Sequence, residues 1–227
     1  MGAGYRIAIE TSVSHGSVAL CIKGEIIFSS EFEAGRRPSE LLPRILQEAL
    51  GHVGSGSVEL VLIGTGPGSY NGARVGIASG QGIAIVHQCP VVGISSLEGL
   101  AAVRSGVPCL ALGDARRGTF FTLELKEGKL AGSPSLLEHP EFQRRAGEAG
   151  GRDWTLVSLE EPQRLNLPDH DVLVEVPSAA LLLEAWQERS PEEQQNLLEI
   201  PPEPFYLRAP HITQPKRGSG PEPDRSH

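Results

Sequence analysis

One stretch limits what this chain can become: residues 60–86, reading LVLIGTGPGSYNGARVGIASGQGIAIV. Its opening, 60–63, is a short apolar run of the kind that forms a buried strand. A glycine-rich turn, GTGPGS over 64–69, follows. Ser69 or Asn71 can then offer a side-chain oxygen to the first free N–H groups of a helix predicted over 70–86. Inside that helix Gly72, Gly76 and Gly80 recur every four residues and so line one face. A glycine inside a helix costs about 1 kcal/mol relative to alanine. Three on one face predict a very close neighbour: a strand or helix of the same domain, or a helix of a partner chain.

The flanking segments predict alternating elements. Tyr5–Glu10, 17–23 and Glu25–Glu33 read as three strands joined by tight polar turns, an antiparallel meander. A helix starting near Ser39 carries Leu42, Ile45, Leu46, Ala49, Leu50 and Val53 at helical spacing. Leu41 broadens that apolar face, and Pro43 is tolerated only in the first turn. Val91–Ile94 is another strand, and Ser95 or Ser96 caps a short helix ending near Arg104. The order β-β-β-α-β-α-β-α is that of a ribonuclease-H-like lobe. Segments 107–114 and Thr119–Lys126 then echo the first two strands: apolar strand, acidic residue, polar turn, alternating strand, Lys and Gly. Further on, helices are predicted over 140–149 and 178–189, strands over 154–158 and 172–176, and an extended segment over 201–208.

The net charge of −8 argues against a general polyanion binder, and 39% hydrophobic residues support a packed core. No apolar run reaches membrane-spanning length, and the N-terminus lacks the basic and apolar regions of a signal peptide. Cys21, Cys89 and Cys109 are odd in number and widely spaced, so reduced core thiols in a cytosolic protein are expected.

Candidate chemistry is sparse. Glu10, Thr11 and Ser12 after the first strand, with Asp114 after its echo, resemble the two acidic phosphate loops of actin-like ATPases, where a carboxylate orders Mg²⁺ and hydroxyls and N–H groups face phosphate. The plainer alternative is a strand end and a turn. GTGPGS can cradle an anion at a helix N-terminus, or be a structural turn. It fits neither the Walker pattern nor GxGxxG, since Ser69 stands where the latter needs glycine. The seven histidines show no HxxH or HxxxH spacing, and there is no CxxC, so no metal site is expected. Arg116 and Arg117 near Lys126 and Lys129, and the pair Arg36 and Arg37, give local positive charge that either touches nucleic-acid phosphate or belongs to ordinary solvated turns, the overall charge favouring the turns. The leucine-faced and glycine-faced helices either cover the sheet or pack on a partner.

Here the residues resemble a known family. GTGPGSYNGARVGIASGQGIA is similar to the signature of the bacterial TsaB (YeaZ) family, and IETS, PSELLPRI, VVGISSLEGLA, DARRG and PFYLR extend the likeness to Arg208. The resemblance implies an α/β, two-lobed actin-like ATPase/ribonuclease-H-like fold. It implies a first lobe over 1–104, a second, smaller lobe over 105–200, a segment over 201–213 returning to the first lobe, and a mobile tail over 214–227. It implies a cytoplasmic, non-catalytic subunit that supports a TsaD-like threonylcarbamoyltransferase in tRNA threonylcarbamoyladenosine modification, with a TsaE-like ATPase in the same system. Alone the chain would form a homodimer, and it would meet tRNA only through the complex. It would carry no cofactor of its own, with ATP or ADP at the joint with the catalytic subunit.

The partner interface would draw on Leu41, Leu42, Ile45, Leu46 and Ala49 of one helix, and on Gly72, Ala73, Val75, Gly76, Ile77 and Gly80 of the next. Gly76→Leu would then abolish pairing and spare the fold. Residues near a nucleotide would be Glu10, Thr11, Gly66, Gly68, Ser69 and Asp114. The alternatives are an autonomous ATPase or sugar kinase of the same fold, and a metallopeptidase, for which the ligand pair is missing.

Overall fold

The computed structural model describes residues 4–33 and 38–207. Arg36, Arg37, the 208–213 part of the returning segment and the tail from Gln214 lie outside the described residues. β1 (Tyr5–Glu10), β2 (His15–Ile22) and β3 (Glu25–Glu33) form the expected antiparallel meander. After α1 (Pro38–Gly51), β4 (Val58–Gly64) lies parallel to β1, and after α2 (Tyr70–His87), β5 (Val91–Ile94) lies parallel to β4. The sheet order is β3-β2-β1-β4-β5. β1 and β4 are buried on both faces, which is why their sequences read as nearly continuous apolar runs. Because α1 begins at Pro38, Pro43 is its sixth residue and sits beyond the first turn, one residue deeper than a start at Ser39 would place it.

The helix expected over 95–104 is split. Ser96–Gly99 is a 3₁₀ turn capped by Ser95, and α3 (Ala101–Arg104) follows it. The second sheet contains β6 (Cys109–Asp114), β7 (Thr119–Lys126), β8 (Lys129–Leu130), β9 (Ser135–Glu138), β10 (Thr155–Ser158) and β11 (Val172–Val174). Its order is β11-β10-β6-β7-β8, with β9 also paired to β7. α4 (His139–Gly150) covers one face with Phe142, Ala146 and Ala149. Leu97, Leu100 and Val103 pack on the other face, among Ala111, Phe121, Leu123 and Val157. The second core therefore begins before residue 105.

A second correction concerns α5 (Ala179–Gln187), capped by Ser178. It was expected in the second lobe, but Ala179, Leu182, Leu183 and Trp186 pack against Ala8, Ala19, Cys21, Leu60 and Leu62 of the first sheet. The chain returns to the first lobe there, ahead of residue 201, because the apolar face of α5, joined by Leu197 and Leu198 of α6, covers the face that α1 and α2 leave bare. α6 (Pro191–Leu198) follows, opened by a reciprocal Ser190–Glu193 capping box.

Where α5 ends, ion pairs tie the lobes together. Arg189 pairs with Glu98, both side chains buried. Arg104 pairs with Glu188 at 2.7 Å, and Lys129 with Glu193 at 2.5 Å. Burial pushes the Glu98 carboxyl up, against the opposing pull of the Arg189 guanidinium.

Candidate functional site

A cleft of about 720 Å³ opens between the lobes. One wall is the β1–β2 turn with Ser12 and Ser14, together with the glycine turn through Gly68, Ser69 and Asn71. The opposite wall carries Asp114, Arg116, Phe121, Glu160 and Arg164, and Phe205, Tyr206 and Leu207 close one side. The Phe205 N–H donates to the Thr65 carbonyl at 2.8 Å, and Phe205 and Leu207 pack on the second core. The chain thus builds part of its own cleft with its last described residues.

Of the six residues expected near a nucleotide, Gly68, Ser69 and Asp114 line this cleft, whereas Glu10, Thr11 and Gly66 do not. The Glu10 carboxylate folds back over Gly64, where an added methyl would collide with it. Its Oε1 accepts from the Ser12 N–H at 2.6 Å, and its side chain is fully buried. Burial pushes this carboxyl above its ordinary value, against the opposing hydrogen bonds from Ser12 and Ser96. Thr11 is also buried and donates its hydroxyl to the Gly72 carbonyl at 2.9 Å.

The glycine turn is tied to its own chain in the same way. Ser69 N–H donates to the Ser12 carbonyl at 2.5 Å, and Gly68 has no room for a side chain against that carbonyl. The Ser69 hydroxyl accepts from the Gly72 N–H at 3.2 Å, deciding between the two candidate caps. Glu10 is thus turned away from the cleft, and Asp114 is the carboxylate of the expected pair that lines it. Across the cleft, Arg116, Arg117 and Gly118 all take left-handed conformations in the β6–β7 turn, and the Arg116 N–H donates to Asp114 at 2.7 Å.

The glycine face of α2 is also turned inward. A methyl on Gly76 would lie 2.5 Å from Thr11 Oγ1, and methyls on Gly72 and Gly80 would collide with the Thr11 carbonyl and the Ile63 side chain. Ala73 and Ile77 are buried beside them, and Val75 is half-buried against the same core. On α1, Leu42, Ile45, Leu46 and Ala49 are buried in that core, with Leu41 packed at its edge. The proposed interface residues on both helices therefore serve the molecule's own sheet. The physical reason is that a helix lying on a buried parallel pair places its smallest side chains where backbone and strand meet. Gly76→Leu would disrupt the fold itself, contrary to expectation.

What faces outward was missed by the sequence reading. Arg74, Ala78, Gln81, Gly82 and Ile85 form an exposed stripe along α2, with Val86 beside it. Ile85 and Val86 are 78% and 77% exposed, and nothing lies within 4 Å of the space a side chain on Gly82 would fill. The signal was present in the sequence: Ile85 and Val86 fall outside the period of Gly72, Gly76 and Gly80. At the N-terminal end of the stripe, Arg74 lies 4.8 Å over the Tyr70 ring, whose centroid is 5.7 Å from that of Tyr206. A groove of about 430 Å³ runs between Arg74, Ile77, Ala78 and Gln81 of α2 and Glu203, Pro204 and Tyr206.

Elsewhere the charged turns are internally paired: Lys126 with Glu124, Lys129 with Glu193, and Arg116 with Asp114. Cys21, Cys89 and Cys109 are free thiols, and burial pushes Cys109 up to about 11. Among the described residues no group of three His, Cys, Asp or Glu side chains could hold a metal ion, and no helix is long and apolar enough to cross a membrane.

Residues 29–134 match the family described as TsaD, tRNA N6-adenosine threonylcarbamoyltransferase. The chain is 28% identical over 223 residues to the tRNA threonylcarbamoyladenosine biosynthesis protein TsaB of Escherichia coli, covering 89% of this chain and 94% of that protein. It is 37% identical over 97 residues to the TsaB of Haemophilus influenzae, a match spanning 42% of this chain and 41% of that relative. The solved structure of YeaZ from Pseudomonas aeruginosa superposes with a TM-score of 0.64 at 26% identity, covering 80% of this chain and 89% of that one. The architecture is the two-lobed actin-like/ribonuclease-H-like fold.

Proposed function

We propose that this chain, which belongs to the TsaB/YeaZ family, is a non-catalytic docking subunit in tRNA threonylcarbamoyladenosine biosynthesis that binds and supports a TsaD-type catalytic chain. The observation that carries this reading is the outward stripe of α2, where Gly82, Ile85 and Val86 stand exposed with no partner among the described residues. An exposed helix gains nothing from such residues unless another surface covers them. A TsaD-type chain suits that surface, because residues 29–134, which include α1 and α2, match the TsaD family. Two chains sharing one helix layout can meet face to face through equivalent elements.

The docking role is supported by the enclosure of Glu10, which removes from the cleft the carboxylate that a nucleotide-hydrolysing reading needs. In this reading any ATP or ADP sits at the joint with the catalytic subunit, a TsaE-like ATPase belongs to the same system, and tRNA is met through the complex. The test is co-purification with the TsaD of the same organism, followed by a modification assay. Wild-type chain is expected to restore modification and Ile85→Asp to lose both binding and restoration. Full modification without this chain, or ATP turnover by the chain alone that Glu10→Ala and Asp114→Ala abolish, would overturn the proposal.

A further inference from the structure

We infer that the open edge of β11 is a docking site for residues 209–214 of this same chain, which add to it as an antiparallel strand and close the second sheet. Neither α2 nor a partner protein is involved. β11 (Val172–Val174) ends the order of the second sheet, with β10 on its one paired side among the described residues. The Glu175 N–H donates to the Ser158 carbonyl at 3.0 Å. Alternation along the strand therefore turns the backbone groups of Leu173 towards β10 and those of Val172 and Val174 towards the open edge. Leu173 and Val174 are 44% and 38% exposed there, and Val176 just beyond is 51% exposed. An apolar edge with N–H and carbonyl groups turned outward is a template for one more strand.

The occupant follows from where the described chain stops. Leu207 packs on the core that holds Val157 and Leu159, and it lines the cleft together with Leu159 and Glu160. It therefore lies at the end of the sheet where β10 and β11 finish. Two further residues, at about 3.3 Å each, span a strand spacing of about 4.8 Å, so a segment reaching the edge there runs antiparallel to β11. The sequence from Arg208 reads RAPHITQPKR, and its two prolines select the register. With Ile212 opposite Leu173, His211 and Thr213 stand opposite Val174 and Val172 and bring N–H groups to the edge. Pro210 then stands opposite Glu175, where the edge asks for no donor, and Pro215 ends the pairing. Sliding the segment by two residues would put Pro215 opposite Val172 and leave that carbonyl without a donor. In the selected register Ile212 covers the exposed Leu173 as a close cross-strand pair. Lys216 comes opposite Asp169, with Asp171 two residues on, so charge matches at the far end as well.

The experiment is amide exchange measured by NMR on the full chain and on two proline variants. Thr213→Pro removes an N–H that faces β11, whereas Gln214→Pro removes one that faces away. The Val172 and Val174 amides are expected to exchange about 10-fold or more faster in Thr213→Pro than in the wild-type chain, and at the wild-type rate in Gln214→Pro. Rates untouched by Thr213→Pro, or raised equally by both prolines, overturn the inference. A Leu173→Cys/Ile212→Cys pair, made with Cys89→Ser to remove the half-buried native thiol, checks the register and the source of the strand. An antiparallel pair of this kind holds its Cβ atoms within disulfide reach. Mild oxidation is expected to join the two thiols within one chain. A bond between two chains instead, or none, overturns the docking of the segment on its own sheet.

Discussion

The two sheets share one topology and differ in what covers them. In each, a central strand (β1 or β6) pairs antiparallel with the next strand of the chain and parallel with a later one (β4 or β10), which in turn pairs parallel with an edge strand (β5 or β11). α1 in the first sheet and α4 in the second occupy the crossover before the first of those parallel strands. The crossover to the edge strand differs. In the first lobe it holds the eighteen-residue α2, and in the second only the 3₁₀ turn Pro162–Leu165. The eighteen-residue α2, with Ile85 and Val86 exposed on its outer side, is therefore an element that the second lobe lacks among the described residues. Repetition of a plan supplies the fold, and departure from it marks the place available for docking.

The comparison breaks most easily where the lobes are joined. Arg189 and Glu98 are both buried, so Arg189→Met leaves a carboxylate without its partner, an expected loss of about 3–5 kcal/mol. Chemical denaturation should show it, and adding Glu98→Gln should recover most of the loss. Equal effects of the single and double variants would mean that the pair does not couple the lobes.

Next in size is the inner face of α2. Gly76→Leu forces a side chain into Thr11 and the sheet, an overpacking expected to cost about 3 kcal/mol and to lower the melting temperature by roughly 6–12 °C. Loss of pairing with an unchanged melting temperature would restore the inner face as an interface.

Strand identity was legible because it rested on local patterns. Tyr5–Glu10, Glu25–Glu33, Val91–Ile94 and Thr119–Lys126 appear with the bounds that their apolar runs and turn residues predict. The spacing of Gly72, Gly76 and Gly80 correctly demanded a close neighbour, but periodicity does not say whether a strand of the same chain or a helix of another supplies it. The same limit hid the destination of α5, whose apolar face suits either sheet. α6 was legible and overlooked, since Ser190 and Glu193 stand at capping-box spacing before it. The orientation of Glu10 was not legible at all, because it depends on Gly64 of a strand more than fifty residues away leaving room for the carboxylate.

That orientation gives Glu10 a pH signature that can be read directly. Glu10 at the end of β1 is enclosed by uncharged partners, and its carboxyl is raised from its ordinary 4.5. Asp114 at the end of β6 faces the cleft. A carboxyl with a raised folded-state value contributes stability below its unfolded value, and that contribution is lost as pH rises through the folded value. Relative to wild type, Glu10→Gln should therefore gain stability from pH 4.5 upward, read from denaturation curves at a series of pH values. Parallel curves for the two proteins would place Glu10 in contact with solvent or a cation.

The smallest effect separates the two faces of α2 most cleanly. Gly82 is a mid-helix glycine with open space beside it, so Gly82→Ala should stabilise the isolated chain by about 1 kcal/mol and raise its melting temperature by roughly 2–4 °C. On the proposed docking stripe the same methyl holds the partner's surface away, so binding of the TsaD-type chain should weaken while the fold strengthens. An inward glycine cannot produce opposite signs, because there any added atom strains the fold first. If Gly82→Ala stabilises the chain and leaves TsaD-type binding untouched, the docking contact does not pass over Gly82.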